Sequence, residues 1–326
     1  MKILNICYST PDIGIGHLSR LRNLTSSIIR KKKEIEIEFL VLGNIHEGFL
    51  DSFNFHIIDH NADPSDEILT YINHIKPELI IFDLSEKESK QYIGQLLMDI
   101  NDRKIRIIAV DGLIEYHSFI DLIWVPAFTV DESKYDIRHK HIHYGWDCFL
   151  LERNRPIQKW KPGNVITILT GGSDPTGITH SLPNILEEKM QSQLEIHWVK
   201  GPYSATPQIS NNTKHNWTIF NQPSSLENII YESNYIFSVY GVSFFESLQH
   251  GKPTVVLSPY ADKDNLELEK LKSEKVAVIA EDLDDVVVQL NSLIDNHLFS
   301  EELSRQSLEK FKKSGCESLA NKILGM

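Results

Sequence analysis

Residues 2–24 read KILNICYSTPDIGIGHLSRLRNL: an apolar run of strand length, a turn holding two glycines, then a periodic stretch that starts at a histidine. Such a run, followed by glycines and a 3.6-residue period, opens a strand–turn–helix unit of a sheet covered on both faces. The rhythm continues outward through EIEIEFLVLG, FHIIDH, PELIIFDLS, IRIIAVDG and DLIWVP, mostly separated by stretches long enough for helices. It restarts at NVITILTGG and runs through LEIHWVKG, NWTIFNQ, YIFSVYG, PTVVLSP and VAVIAED, with LPNILEEKMQ and NLELEKLKSE helical between them. The predicted fold is α/β, with two Rossmann-like doubly wound domains. The Pro-, Arg- and Asn-rich LLERNRPIQKWKPGN supplies a hinge near residues 152–163. The expected division is 1–155, 156–305 and a C-terminal helical segment 306–326. By analogy with enzymes of this architecture, that last segment is expected to cross back to the first domain.

With 326 residues, 41% hydrophobic and 24% charged, the chain has enough material for two ordinary cores. No run approaches the roughly 20 apolar residues of a membrane span. MKILNICYS meets polar residues too early for a signal peptide, so a cytoplasmic location is expected. Cys7, Cys148 and Cys316 are far apart, which points to neither a disulfide framework nor structural zinc. A net charge of -12 excludes non-specific nucleic-acid binding, which needs clustered cations. The basic run Arg30-Lys31-Lys32-Lys33 reads as the solvated end of the first helix; its other use would be peripheral contact with an anionic membrane.

In tandem doubly wound domains, ligands sit at the carboxyl ends of strands, here expected around one cleft. DIGIGH (12–17) follows the first strand of the first domain, and GGSDPTG (171–177) the first strand of the second. Backbone N–H groups and a helix dipole at such turns favour a negative ligand, although a tight turn also needs glycine for its own geometry. The third segment, FSVYGVSFFESLQHGKPTVVLSPYADKDNLELEKLKSE, spans 237–274. A strand ends at Tyr240-Gly241, and a helix runs from about Ser243 to Gln249 with Glu246 inside it. Gly251 caps the helix and Pro253 opens the next strand. A carboxylate in the first turns of such a helix can accept from both hydroxyls of a ribose.

The pattern G-x-x-x-x-E-x-x-x-x-G-x-P followed by P-x-x-x-K-D-N resembles the nucleotide-sugar site of two-domain GT-B enzymes. Among these are the N-acetylglucosaminyltransferase of peptidoglycan synthesis and, with closer similarity, the UDP-2,4-diacetamido-2,4,6-trideoxy-altropyranose hydrolase of the pseudaminic acid pathway together with the spore-coat polysaccharide glycosyltransferase-like proteins. The resemblance covers nearly the whole chain. It includes the G-x-G-H loop with a following arginine (Gly14, Gly16, His17, Arg20), in which Gly14, Gly16 and Arg20 are candidate substrate contacts, the G-G-S-D-P loop from Gly171 to Pro175, and aspartates after strands at Asp83 and Asp111. It implies that Gly241 and Glu246 hold uridine and ribose, that Gly171, Gly172 and Ser173 face the diphosphate, and that Asn265 and Glu267 reach the sugar; Tyr240, Val242 and Ser243 beside them are further candidate contacts, Tyr240 by stacking on uracil or narrowing the sugar pocket. Asp83 and Asp111 would support the site. The sequence departs from the hydrolase pattern at Ser85, where that family has a tyrosine thought to position water, and at Asn265-Leu266, Asp111-Gly112 and Tyr240-Gly241.

Breaking the anomeric C–O bond of a UDP-sugar requires stabilisation of the leaving diphosphate and removal of the acceptor's proton. Imidazole suits the second task, which makes His17 the candidate base; a helix-start histidine bonded to backbone is the other reading. The expected activity is transfer of an amino or deoxy sugar from UDP to a hydroxyl of a glycan, lipid or protein in surface glycan synthesis. Hydrolysis with water as acceptor, 2-epimerisation and nucleotide-sugar binding without net transfer stand as alternatives. With the diphosphate met by N–H groups and a helix dipole, no metal or other cofactor is expected. His141, His143 and Cys148 read as strand residues rather than as a metal site, and Phe244 and Phe245 as core, while Trp146 reads equally as interface packing or acceptor contact.

Overall fold

A computed structural model describes residues 1–45, 48–59, 63–84, 86–130, 141–172, 174, 177–221, 223, 225–258 and 261–326, apart from the side chains at 86, 88 and 261–265. The chain divides into two compact units, Met1–Leu151 with Lys313–Met326, and Glu152–Lys312.

The first unit runs β1 (Lys2–Ser9), α1 (Gly16–Lys31), β2 (Glu36–Gly43), β3 (Asn54–Ile58), α2 (Ser65–Ile75), β4 (Leu79–Asp83), α3 (Glu86–Ser89), α4 (Ile93–Asn101), β5 (Arg106–Val110), β6 (Leu122–Val125) and β7 (Ile142–Tyr144). Its strands lie in the order β3-β2-β1-β4-β5-β6-β7, with all neighbours parallel. The strand period of two sends alternate side chains of β1 to opposite faces. Leu4, Ile6 and Tyr8 join a core with Ile68 of α2 and Leu96 of α4, whereas Ile3 and Cys7 join a second core with Leu18 and Leu21 of α1. Both faces are covered, so KILNICYS shows no polar alternation. Burial of each large side chain is worth about 1.5–3 kcal/mol.

The second unit runs β8 (Val165–Leu169), α5 (Ile178–Lys189), β9 (Glu195–Lys200), β10 (Asn216–Asn221), α6 (Leu226–Glu232), β11 (Tyr235–Val239), α7 (Val242–Gln249), β12 (Thr254–Leu257), α8 (Ala261–Glu274), β13 (Val278–Ile279), α9 (Leu283–Asp295) and α10 (His297–Lys310). Its order is β10-β9-β8-β11-β12-β13, again parallel throughout. Each sheet reverses its winding direction once, between β1 and β4 in the first and between β8 and β11 in the second. The helices that follow the strands on either side of such a switch point go to opposite faces, which leaves a crevice at the carboxyl edge.

Two boundaries differ from the sequence expectation. The stretch read as a hinge is part of the second unit. The backbone N–H groups of Asn154 and Arg155 donate to Glu227 Oε1 at 2.6 and 2.7 Å, Arg155 donates to Asn228 Oδ1, and the Trp160 indole donates to the Asn234 carbonyl at 2.7 Å. The second unit also extends past residue 305 to Lys312, and only α11 (Gly315–Gly325) joins the first unit. There Leu319 and Ile323 share the core of α1. Ser314 Oγ caps α11 by accepting from Glu317 N at 3.3 Å, and Gly315 is required because a Cβ would lie 2.3 Å from the Phe149 carbonyl oxygen. Among the described residues, no helix is long and apolar enough to cross a membrane.

His250, just after α7, is 5% exposed, and burial outweighs the nearby Glu227 carboxylate to push it down to about 4. Below its ordinary value of about 6.5 the unfolded chain binds a proton that the folded chain refuses, so stability falls as pH drops from about 6.5 toward 4, by about 3 kcal/mol at most. Denaturant unfolding of the wild type should show this loss between pH 7 and 4.5, and His250→Gln should flatten it.

Candidate active site

The first unit gathers its chemistry at the β1/β4 switch point. In the loop after β1, Gly14 takes a positive φ of 81°, its N–H donates to the Thr10 carbonyl at 2.7 Å, and Thr10 Oγ1 accepts from Ile13 N. This closed turn delivers the chain into α1 at Gly16. His17 and Arg20 lie three residues apart on α1 and therefore share one face, while Leu18, Leu21 and Leu24 fill the core. Asp83 is the last residue of β4, paired in register with Cys7 of β1 and Val110 of β5, and is fully buried. Asp111 follows β5 directly.

These four side chains meet. His17 Nδ1 lies 2.6 Å from Asp83 Oδ1; Arg20 donates from Nε to Asp83 Oδ2 at 2.9 Å and from Nη2 to Oδ1 at 2.7 Å; Arg20 Nη1 lies 2.6 Å from Asp111 Oδ2. Burial pushes the Asp83 carboxyl up, but Arg20 and then His17 outweigh it and hold the carboxyl below its usual range. An ionised Asp83 can only accept, so His17 donates from Nδ1. The 3.0 Å approach of Arg20 Nη2 to the same nitrogen is then a contact between donors, and in the neutral form of this tautomer the lone pair lies on Nε2. His17 is 15% exposed at its side chain. An imidazole oriented by a carboxylate through Nδ1, with Nε2 unprotonated, is the arrangement of a general base.

In the second unit the sequence-read segments again fall at the switch point. Gly171 and Gly172 form the turn after β8, and Tyr240-Gly241 joins β11 to α7. Gly201, after β9, is forced by close approach: a Cβ would stand 2.2 Å from the Gly171 carbonyl oxygen and 2.6 Å from that of Gly172, whose oxygen accepts from Tyr203 N at 2.9 Å. Asp174 does not face outward for a ligand. Its carboxylate caps α5, accepting from Ile178 N and Thr179 N at 3.0 Å each and from the Thr179 hydroxyl. The N-terminus of α7 differs, because no side chain caps it and Val242 and Ser243 are its first residues. Glu246 lies on the second turn of α7, half-buried. The Tyr240 hydroxyl donates to Glu267 on α8, and its ring is 5.7 Å from Phe244 and 5.6 Å from Phe245. Ser85, Ser173 and Pro175 lie outside the described residues, as does the side chain of Asn265.

Arg20 was read as a substrate contact, yet three of its five N–H groups are engaged by Asp83 and Asp111. The sequence reading also missed Ser9 and Thr170, which end or follow β1 and β8 at the two switch points and bury hydroxyls that have no hydrogen-bond partner among the described residues. A small polar residue where an apolar strand ends was the available signal. Trp146 stacks on Phe128 at 4.6 Å, and burial pushes the Cys148 thiol up to about 12. Among the described residues no group of three or more His, Cys, Asp or Glu side chains could hold a metal ion. Asp-x-Asp triplets stand at 262–264 and 282–284; the side chains of the first lie outside the described residues, and in the second Asp282 caps α9 by accepting from Asp285 N while Asp284 pairs with Lys189 at 2.8 Å.

The architecture is matched in solved proteins. Its fold is GT-B. MurG of Acinetobacter baumannii has a TM-score of 0.66 at 14% identity over 100% of each chain. UDP-GlcNAc 2-epimerase from Neisseria meningitidis, bound to UDP-GlcNAc, has a TM-score of 0.64 at 11% identity, also over 100% of each chain. The calicheamicin glycosyltransferase CalG4 has a TM-score of 0.62 at 11% identity over 99% of this chain and 97% of that one. At these identities the likeness extends to the fold alone. No protein-family model and no curated protein matches the chain.

Gly201→Ala drives a methyl into backbone oxygens that cannot rotate away. It should lower stability by about 1–3 kcal/mol, the usual range for overpacking, read by thermal unfolding; an unchanged midpoint would show that the 171–172 turn is free to shift.

Proposed function

We propose that the chain is an enzyme that breaks the anomeric C–O bond of a UDP-sugar, the sugar being of the amino or deoxy class, and passes the sugar to a hydroxyl acceptor in surface glycan synthesis. The observation that carries this reading is the 2.6 Å contact between His17 Nδ1 and the buried carboxylate of Asp83, in a fold shared with glycosyltransferases; the neutral tautomer with its proton on Nδ1 would leave Nε2 to act as the base. The acceptor oxygen attacks the anomeric carbon, its proton passes to His17 Nε2, and the bonding pair leaves with the diphosphate of UDP. On the second unit, Glu246 would accept from the ribose hydroxyls, and the uncapped start of α7 at Gly241, Val242 and Ser243, together with the Gly171–Gly172 turn and Ser173, would meet the diphosphate. Tyr240, Asn265 and Glu267 would flank the base and the sugar. Backbone N–H groups and the helix dipole take the place of a cation, so no metal is needed. The acceptor would be a glycan, lipid or protein hydroxyl.

A second reading has its own support. The sequence resemblance to the pseudaminic acid pathway hydrolase favours water as the acceptor, and the fold is equally that of UDP-GlcNAc 2-epimerases. Incubation with a panel of UDP-amino sugars, with and without an acceptor extract, separates the three. UDP release that depends on acceptor supports transfer; release of UDP and free sugar without acceptor supports hydrolysis; a new UDP-sugar epimer with no UDP release supports epimerisation.

Three outcomes are expected. His17→Ala should lower kcat by about 10²- to 10⁴-fold with UDP affinity unchanged, and a folded variant that keeps more than about a tenth of the wild-type kcat would end the general-base reading. Glu246→Ala should weaken UDP binding by roughly 10- to 150-fold in calorimetry, the equivalent of a charged hydrogen bond worth about 1.5–3 kcal/mol. Turnover should persist in EDTA; complete loss that Mg²⁺ or Mn²⁺ restores would refute the metal-free diphosphate site.

A further inference from the structure

The four-residue cluster at the β1/β4 switch point contains one more cation than a two-residue dyad needs. We infer that Arg20 is a positioning residue: its guanidinium holds both oxygens of Asp83, so that His17 keeps its proton on Nδ1 and its Nε2 lone pair for the acceptor, while Asp111 holds Arg20 in place. This rests on the reading of His17 as the base and replaces the expectation that Arg20 touches the nucleotide-sugar.

The geometry is a planar fork on a planar carboxylate, at 2.9 and 2.7 Å, with a third N–H group fixed 2.6 Å from Asp111 Oδ2. A guanidinium does not deprotonate in proteins, so it is a permanent counter-charge for the fully buried Asp83. With that charge present, Asp83 is satisfied by a neutral imidazole. Without it, the groups left facing Asp83 would be His17 from α1, Cys7 from β1 and, beyond β5, Asp111. The Cys7 thiol is raised by burial and then by Asp83 itself, so it stays protonated and brings no positive charge. Asp111 is negative. Among these described groups His17 would be the one able to become a cation, and the His17–Asp83 pair would hold an extra proton to higher pH. A protonated imidazole cannot take a proton from an acceptor.

The turn that presents Asp111 is itself built for this contact. Asp111 and Leu113 both take left-handed conformations, φ 59° and 61°, although neither is glycine, and Asp111 N donates to the Trp124 carbonyl at 3.0 Å. Asp enters this region more readily than most residues, whereas a bulky Leu holds such an angle at a cost met by its surroundings. Here the surroundings of Asp111 include Arg20 Nη1.

The test is the ring ¹⁵N spectrum of His17 in histidine-labelled protein, titrated in wild type, Arg20→Met and Arg20→Lys, beside the pH dependence of kcat/KM. In Arg20→Met the imidazolium signal should persist at least about one pH unit higher than in wild type, the acid limb of kcat/KM should move up with it, and kcat at pH 7 should fall at least about tenfold while the donor KM changes little; one unit is a tenfold change in protonation. Arg20→Lys keeps the charge but loses the fork, so the titration should stay near that of wild type while kcat falls. An unchanged His17 titration in Arg20→Met, or a raised KM with unchanged kcat in either variant, would overturn the proposal in favour of direct substrate contact. Should Arg20→Met not fold, the Arg20→Lys pattern decides alone, because direct contact raises KM and positioning does not. The spectrum is read without substrate, so absence of turnover on UDP-sugars would refute the reading of His17 as a base and leave the role of Arg20 to be judged by the titration.

Discussion

A carboxylate buried at the end of the central strand of a sheet is tolerated only if its charge is met, and Asp83 is met by the two-pronged guanidinium of Arg20. The rest of the first unit's site follows from that pair. It ties α1 to the end of β4, fixes His17 through Asp83 Oδ1, and reaches across to the turn after β5 through Asp111. A helix and the ends of two adjacent strands are joined at the carboxyl edge of the sheet by charged hydrogen bonds, each stronger than a neutral one.

The second unit meets the same topological point with different chemistry. Where the first unit sets ionised side chains, the second sets backbone: the Gly171–Gly172 turn packed on Gly201, and the uncapped start of α7 beside Gly241. The carboxylate nearest that turn, Asp174, is turned away from a ligand role by capping α5. Backbone N–H groups suit an anion whose charge must be accepted without exchange of a proton, and a titratable dyad suits a step in which a proton moves. The two switch points therefore differ in chemistry, with ionised side chains at one and backbone N–H groups at the other.

Not every buried ionisable group belongs to a site. Lys252 is 7% exposed, and burial pushes it down to about 8, yet its Nζ donates at 2.7 Å to both the Tyr231 and Ser233 carbonyls at the end of α6. It closes a helix terminus at the amino edge of the sheet, on the side opposite the carboxyl-edge turns. His250 neighbours it there and stays neutral by burial. Both serve the packing of α6 and α7 against the segment 153–160.

The strands were legible in the sequence because parallel strands buried on both faces leave unbroken apolar runs. KILNICYS, LIIFD and VITIL could be read directly, and the glycine turns marked where each run ended. The same reading placed His17, Asp83 and Asp111 at strand ends of the first unit and Glu246 just after a strand of the second, which topology turns into positions at the carboxyl edge of each sheet. It could not show that Arg20 points at Asp83, because residues 63 apart in the chain meet only through the strand order β1-β4-β5. Nor could it separate Asp174, a helix cap, from a ligand contact, or assign 152–163 to the second unit, since both depend on where particular N–H groups lie after packing. Local sequence determines which segments are strands and turns through periodicity and backbone preference. Which charges meet was decided only by the order in which the strands assemble, because a salt bridge needs its partners within about 4 Å and sequence separation does not measure that distance.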